Sequence, residues 1–165
     1  HINVKLAPRL PELRGIPEQL HQIFQNLLDN AIQYMNKPEG RIEVEAERIR
    51  DGWQLRVTDN GPGIPQRFLT KVFEVFQRLN ADDDKPGTGM GLSLVKRIVE
   101  TRGGRVWCES VEGEGSTFLF TWPDEKPKPF GLAAGGGEET AGDGLAHPTA
   151  SAIVRANLQA DSRLE

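Results

Sequence analysis

Residues 17–34 read Pro-Glu-Gln-Leu-His-Gln-Ile-Phe-Gln-Asn-Leu-Leu-Asp-Asn-Ala-Ile-Gln-Tyr. Apolar residues fall at Leu20, Ile23, Phe24, Leu27, Leu28, Ala31 and Ile32. Steps of three and four gather them on one side of a helix. Pro17 suits the first turn of that helix, where its missing N–H removes no bond. The pattern predicts a long amphipathic helix with one face committed to a core. The period then drops to two. Ile42, Val44 and Ala46 alternate with Glu43, Glu45 and Glu47, and Leu55 and Val57 share one face of the run from Trp53 to Asp59. Asp51-Gly52 between the two runs is a strong hairpin signal.

Upstream, Ile2 to Leu6 alternates and reads as a short first strand. Downstream, a second helical stretch is predicted after Pro65. A third is predicted from about Gly89 to Glu100, on Met90, Leu94, Val95, Ile98 and Val99. Two closing strands, Arg105 to Val111 and Ser116 to Trp122, flank Glu112-Gly113-Glu114-Gly115. This is an α+β chain, expected to form an antiparallel or mixed sheet with helices over one face. Composition changes near Pro123. Asp124-Glu125-Lys126-Pro127-Lys128-Pro129 leads into a Gly- and Ala-rich stretch from Gly131 to Gly144. The expected division is a folded domain over 1–123 and a flexible tail over 124–165. Inside the tail, Thr149 to Leu158 carries a weak helical pattern on Ile153, Val154 and Leu158. A segment that short is marginal without a docking surface.

The chain has 165 residues and a net charge of −4, so no basic face dominates and nucleic-acid binding is a poor reading. The single cysteine, Cys108, rules out an intrachain disulfide. That fits a reducing, cytoplasmic setting. No apolar run approaches the ~20 residues of a membrane span, and no signal-peptide pattern opens the chain. Direct membrane contact by these residues is not expected.

Three constellations carry chemistry. Asn26 and Asn30 are four apart and share a helix face with Gln33, with Tyr34 alongside. An Asn amide oxygen is a good neutral ligand for Mg²⁺, which prefers few protein ligands plus waters and substrate phosphates. The plain alternative is a solvated helix face. Next comes Asp59-Asn60-Gly61-Pro62-Gly63-Ile64-Pro65, where a carboxylate ends a strand before a glycine-broken turn. Such a carboxylate can accept from an exocyclic amine, and the glycines let the backbone approach a flat ring. A polar strand-to-helix turn is the alternative. Third is Gly87-Thr88-Gly89-Met90-Gly91-Leu92, leading into a helix whose N-terminus favours anions. No Gly-Lys-Ser/Thr follows, so a P-loop does not fit. Between these lie Phe73-Glu74-Val75-Phe76-Gln77-Arg78-Leu79 and the polar Asn80-Ala81-Asp82-Asp83-Asp84-Lys85-Pro86. The polar stretch reads as a mobile loop. Arg78 and Lys85 suit phosphate contacts if it closes, and are otherwise surface cations.

Taken in order, Asn-Leu-Leu-Asp-Asn-Ala at 26–31, Asp-Asn-Gly-Pro-Gly-Ile at 59–64, Phe-x-x-Phe at 73–76 and Gly-Thr-Gly-Met-Gly-Leu at 87–92 resemble the N, G1, F and G2 boxes of histidine-kinase catalytic domains. These domains belong to the GHKL ATPase superfamily. The resemblance spans residues 2 to 123, and Phe76-Gln77-Arg78-Leu79 looks most like phytochrome-type sensor kinases. It implies a two-layer α/β sandwich, with a mixed, mostly antiparallel sheet, a layer of helices and a mobile ATP lid. It implies ATP and Mg²⁺ as cofactors, Asn30 on the metal, Asn26 supporting metal or phosphates, and Asp59 accepting from the adenine amino group. Tyr34 would pack on the nucleotide, and Thr117 would reach the adenine side through water. Gly61, Gly63, Gly87, Gly89 and Gly91 would shape the pocket and hinges, with Ile64, Phe76, Thr88, Met90 and Leu92 among the binding positions. Phosphoryl transfer asks mainly for positioning and charge stabilisation.

Three positions depart from related patterns. Gln33 stands where the family often has a basic residue, and Ile16 where an Asp frequently follows the glycine. Hydrolase members of the superfamily place a Glu base four residues before the metal Asn, whereas Asn26 cannot activate water. The family phosphorylates a histidine in a His-Glu-x-x-x-Pro motif on a dimerising helical hairpin. His1, His21 and His147 are outside any such motif. The expectation is a protein-histidine kinase domain that does not phosphorylate itself alone. Its expected partners are the histidine-bearing helices of a homodimeric parent and, downstream, a response regulator. A nucleotide-sensing module without transfer, and a serine-kinase or ATPase relative, remain as alternatives.

Overall fold

In the computed structural model, residues 1–75, 89–125 and 149–159 are described. Strand β1 spans Ile2–Leu6, helix α1 Pro17–Gln33, β2 Gly40–Ile49, β3 Gly52–Asp59, α2 Gly91–Thr101, β4 Val106–Val111, β5 Gly115–Pro123 and α3 Ala150–Gln159. The five strands form one sheet in the order β1-β2-β3-β5-β4. β1 runs parallel to β2, and the other neighbours are antiparallel. The parallel pair requires a crossover, which α1 supplies. The expected mixed sheet with helices on one face is therefore the observed one.

Alternation decides the faces. Ile42 and Val44 on β2, Leu55 and Val57 on β3, Phe118, Phe120 and Trp122 on β5 and Cys108 on β4 are buried in one core. All the apolar positions foreseen on α1 pack into the same core. Phe24 meets Phe120 edge-on at 5.9 Å between ring centroids. Burying such side chains contributes roughly 1.5–3 kcal/mol each before entropy is counted. α1 lies over β3, and α2 lies over β4 and β5.

α2 ends in a Schellman motif. Gly103 adopts φ 87°, its N–H donates to Glu100 O, and Gly104 N–H donates to Val99 O, each at 2.9 Å. α1 begins differently. Ile16 occupies its N-cap in an extended conformation and offers no side-chain cap. The helix predicted after Pro65 contracts to a 3₁₀ turn, Gln66–Phe68, followed by further turns. Bonds of the i→i+3 kind, such as Lys71 N–H to Phe68 O, turn the chain tightly enough for Val72 and Phe73 both to reach the core. Phe73 meets Phe118 edge-on at 6.2 Å.

The weak helical pattern at 149–158 appears as α3, and it has a docking surface. Ala150, Ile153 and Val154 are fully buried against α1 and its approach segment. Ala150 N–H donates to Pro11 O at 2.8 Å, and Thr149 bridges to Glu12. Asn157 Nδ2 donates to His21 O at 3.2 Å, and its Oδ1 lies 3.2 Å from His21 Nδ1. His21 is thus half-buried at a helix–helix seam. The last turn of α3 reaches β1, where Ile2, Val4, Leu158 and Gln159 line a cavity of about 260 Å³. The helical layer therefore runs α3, α1, α2 along the sheet from β1 to β4.

Candidate functional site

The motifs lie along α1: the start of α2 at Gly91 adjoins Asn26, and Gly61 adjoins Tyr34 at the other end. Asn26 and Asn30 stand one turn apart, both half-buried. Asn26 Nδ2 donates to Gln22 O at 2.7 Å, which fixes the amide and turns Oδ1 toward the start of α2. There Gly91 opens the helix, and a Cβ on it would sit 2.5 Å from Asn26 Oδ1. Any other residue at 91 would displace that amide. Gly89, at φ 68°, makes the left-handed turn just before it. At the far end of α1, Tyr34 caps the helix with its N–H on Asn30 O at 3.1 Å, and its carbonyl lies beside Gly61. Its side chain is exposed. Gln33 is the last residue of α1.

Asp59 ends β3 on the core face. Burial pushes its carboxyl above the ordinary Asp range, while the N–H groups of Gly61 and Ser116 and the charge of Lys37 pull it back. Gly61 N–H donates to Asp59 Oδ1 at 2.8 Å. Gly63, at φ 71°, lets the loop lie on the Val111 carbonyl, which a side chain would strike. Gly113 N–H donates to Pro62 O at 2.6 Å, and Ile64 N–H to Ser110 Oγ at 2.8 Å. The 59–65 loop is thereby fastened to the β4–β5 hairpin. Asn60 faces the other way: Oδ1 accepts from Arg41 N–H at 2.6 Å, and Nδ2 donates to Glu39 O at 3.0 Å. Its role is to anchor the start of β2.

The structure places one expected residue on the other face of the sheet and brings further polar residues beside Asp59. Thr117 does not face Asp59. It pairs with Thr58 in the β3–β5 register, and the two hydroxyls lie 3.1 Å apart on the outer face of the sheet. The residue beside Asp59 on the inner face is Ser116. Successive side chains alternate faces, so a one-residue difference moves the hydroxyl across the sheet. Ser110 and Ser116, both buried, were missed. Their signal was polar residues at inward positions of otherwise apolar strands. Lys37, whose Nζ donates to Gly113 O at 3.2 Å and Glu114 O at 3.3 Å, was also missed. Of the remaining expected positions, Ile64 is buried, Met90 is exposed and Leu92 packs partly on the core. Phe76, Arg78, Lys85, Gly87 and Thr88 lie outside the described residues.

The donor set suits a magnesium nucleotide. Among the described residues no cluster of three or more His, Cys, Asp or Glu could hold a metal ion. A hard cation here would rest on an amide oxygen and on substrate phosphates, as Mg²⁺ accepts. The oriented Asn26 amide packs directly on the side-chain-free Gly91, which sets a polar group beside a helix N-terminus of the kind that favours phosphates. At the other end, the half-buried Asp59 and the bare backbone at Gly61 fit a flat base with an amine. No helix among the described residues is long and apolar enough to cross a membrane.

Comparison with known proteins gives consistent results. The family described as histidine kinase-, DNA gyrase B-, and HSP90-like ATPase matches residues 15–126. The chain is 46% identical over 114 residues to cyanobacterial phytochrome A of Nostoc sp. strain PCC 7120, covering 69% of this chain and 15% of that protein. It therefore spans only a small part of that relative. Its fold is similar to the mycobacterial sensor histidine kinase MprB, with TM-score 0.64 and 30% identity over 76% of this chain and 84% of that one. It is also similar to full-length ShkA in complex with AMPPNP, with TM-score 0.63 and 28% identity over 76% of this chain and 26% of that one.

Proposed function

Because this chain belongs to the histidine kinase-, DNA gyrase B- and HSP90-like ATPase family, we propose that it is the nucleotide-holding half of a protein-histidine kinase. It binds ATP with Mg²⁺ and presents the γ-phosphoryl group to a histidine on a separate helical hairpin of the same kinase. The observation that carries this reading is the placement of the two glycine motifs at opposite ends of the polar face of α1. Asn26 faces Gly91 at one end and Tyr34 adjoins Gly61 at the other, about the length of a nucleotide apart along the helix.

In this reading ATP·Mg, when bound, would supply the transferable phosphoryl group and a cation that offsets its charge, with Asn30 as the residue that would hold the cation. The chain supplies position. Asn30 offers an amide oxygen to the metal, and Asn26 holds the phosphate end against the N-terminus of α2. Asp59 accepts from the adenine amine, Gly61 and Gly63 let the backbone lie against the ring, and Tyr34 packs alongside the nucleotide. An amide at position 26 takes no proton from water, so hydrolysis lacks a base there and the phosphoryl group is kept for the histidine. A response regulator is the onward acceptor.

The test is labelled ATP with Mg²⁺, given to the chain alone and with the histidine-bearing hairpin added. The expected result is no acid-labile phosphate on the chain and acid-labile, base-stable phosphate on the hairpin. Asn30→Ala is expected to lower transfer by about a hundredfold or more, as loss of one charge-stabilising contact does. Tight binding with no transfer would instead mark a nucleotide sensor, and steady hydrolysis without the hairpin an ATPase.

A further inference from the structure

The inner face of the sheet changes character at one row. Val57, Phe118 and Cys108 are cross-strand neighbours on β3, β5 and β4, and all are buried and apolar. Two residues further along, the same three strands present Asp59, Ser116 and Ser110. Both serines remain buried, at 6% and 9% exposure. Buried hydroxyls persist where their hydrogen bonds are met.

Ser110 meets all of its own. A hydroxyl has one proton and accepts two bonds. The Ser110 proton goes to Gly115 O at 2.7 Å. Its oxygen accepts from Ile64 N–H at 2.8 Å. Ser116 Oγ lies 3.1 Å away, and because the Ser110 proton is already committed, Ser116 is the donor. This one oxygen therefore joins the loop after Asp59, the hairpin that follows β4, and the serine beside Asp59. The loop has further ties to β4 and its hairpin, Gly113 N–H to Pro62 O and Gln66 Nε2 to Ser110 O at 3.4 Å, but only the Ser110 hydroxyl bonds the Ile64 N–H and Ser116 Oγ at once.

We propose that Ser110 is a positioning residue that sets the selectivity of this site for adenine over 6-oxopurines. It touches no nucleotide. It holds Ile64 and Ser116 so that the Asp59 carboxylate and the Gly61 backbone keep the spacing an exocyclic amine needs. A 6-oxopurine presents a carbonyl at that place, which a carboxylate repels whether or not the loop is held. Loosening the loop therefore costs ATP more than inosine triphosphate.

The proposal rests on the assignment of Asp59 to the base, and the experiment separates the two. Affinities of the chain for Mg·ATP and Mg·inosine triphosphate are measured by calorimetry in the wild type, Ser110→Ala, Ser110→Cys, Ser110→Thr and Asp59→Asn. Ser110→Ala is expected to weaken ATP binding about tenfold, the scale of one buried donor left unmet, while inosine triphosphate changes little. Ser110→Thr keeps the hydroxyl and is expected to restore discrimination. If Ser110→Ala does not fold, Ser110→Cys fills the same volume with a weak acceptor and is read by the same rule. Equal losses for both nucleotides, or unchanged discrimination in a folded variant, overturn the proposal when Asp59→Asn abolishes discrimination. Retained discrimination in Asp59→Asn overturns the assignment of the base site itself.

Discussion

Asp59 sits at the seam between a buried strand and a loop, and both surroundings act on it. Burial raises its pKa, and the Gly61 and Ser116 N–H groups with Lys37 only partly offset that. For an acid with a raised native pKa, the folded state holds more protons than the unfolded one between the two pKa values. Stability therefore falls as pH rises through that window and carries the full cost above it. Asp59→Asn keeps an acceptor for Gly61 N–H without a charge to bury. It is expected to raise the melting temperature at neutral pH and to flatten the acid side of the stability profile, while weakening ATP binding. Thermal melts between about pH 4 and pH 8, with calorimetry at neutral pH, check both arms. Asp59, Asn26 and Asn30 were legible because type and spacing alone place them on a strand end and a helix face. Ser110, Ser116 and Thr117 were not legible as a group. Which hydroxyl faces the carboxylate depends on strand register, which no single strand encodes.

Elements show the same division. α1 and the β2–β3 hairpin were readable because a 3.6 or a 2.0 period repeats over many residues. The stretch after Pro65 was not. Its apolar residues satisfy the core through successive tight turns rather than a regular helix, so periodicity had nothing to report. α1 also carries a local weakness. Ile16 at its N-cap is 51% exposed and caps nothing, and Glu18 is the one acidic residue of its first turn. Ile16→Asp would supply a side-chain acceptor for the first turn and a charge that complements the helix dipole. The expected gain is about 1 kcal/mol in urea denaturation. Nucleotide affinity is expected to stay unchanged, because Asn26 and Asn30 lie more than two turns further along the helix. A changed affinity would show that the start of α1 is coupled to the site.

The whole molecule is wider than its family match. That match covers residues 15–126, whereas β1 and α3 lie outside it and meet at one edge of the sheet. The helical pattern of α3 was legible, but its docking place was not, because an amphipathic pattern names a buried face and not what covers it. Ile153 is 1% exposed and packs into the common core. Ile153→Ala is expected to cost about 2–5 kcal/mol in global stability, the usual scale for a buried Ile truncation. Near-intact stability would mean that α3 docks loosely. Nucleotide affinity measured well below the melting temperature is expected to hold, since α3 and α2 lie on opposite sides of α1.

The seam between α1 and α3 also has a history in time. His21 and Asn157 touch across 136 residues of chain. Ribosomes add roughly 5–20 residues per second, so α1 waits on the order of ten seconds for the helix that covers its flank. During synthesis that flank is open to other nascent chains, and a message cut short before Thr149 yields a protein with its motifs in place and an apolar side exposed.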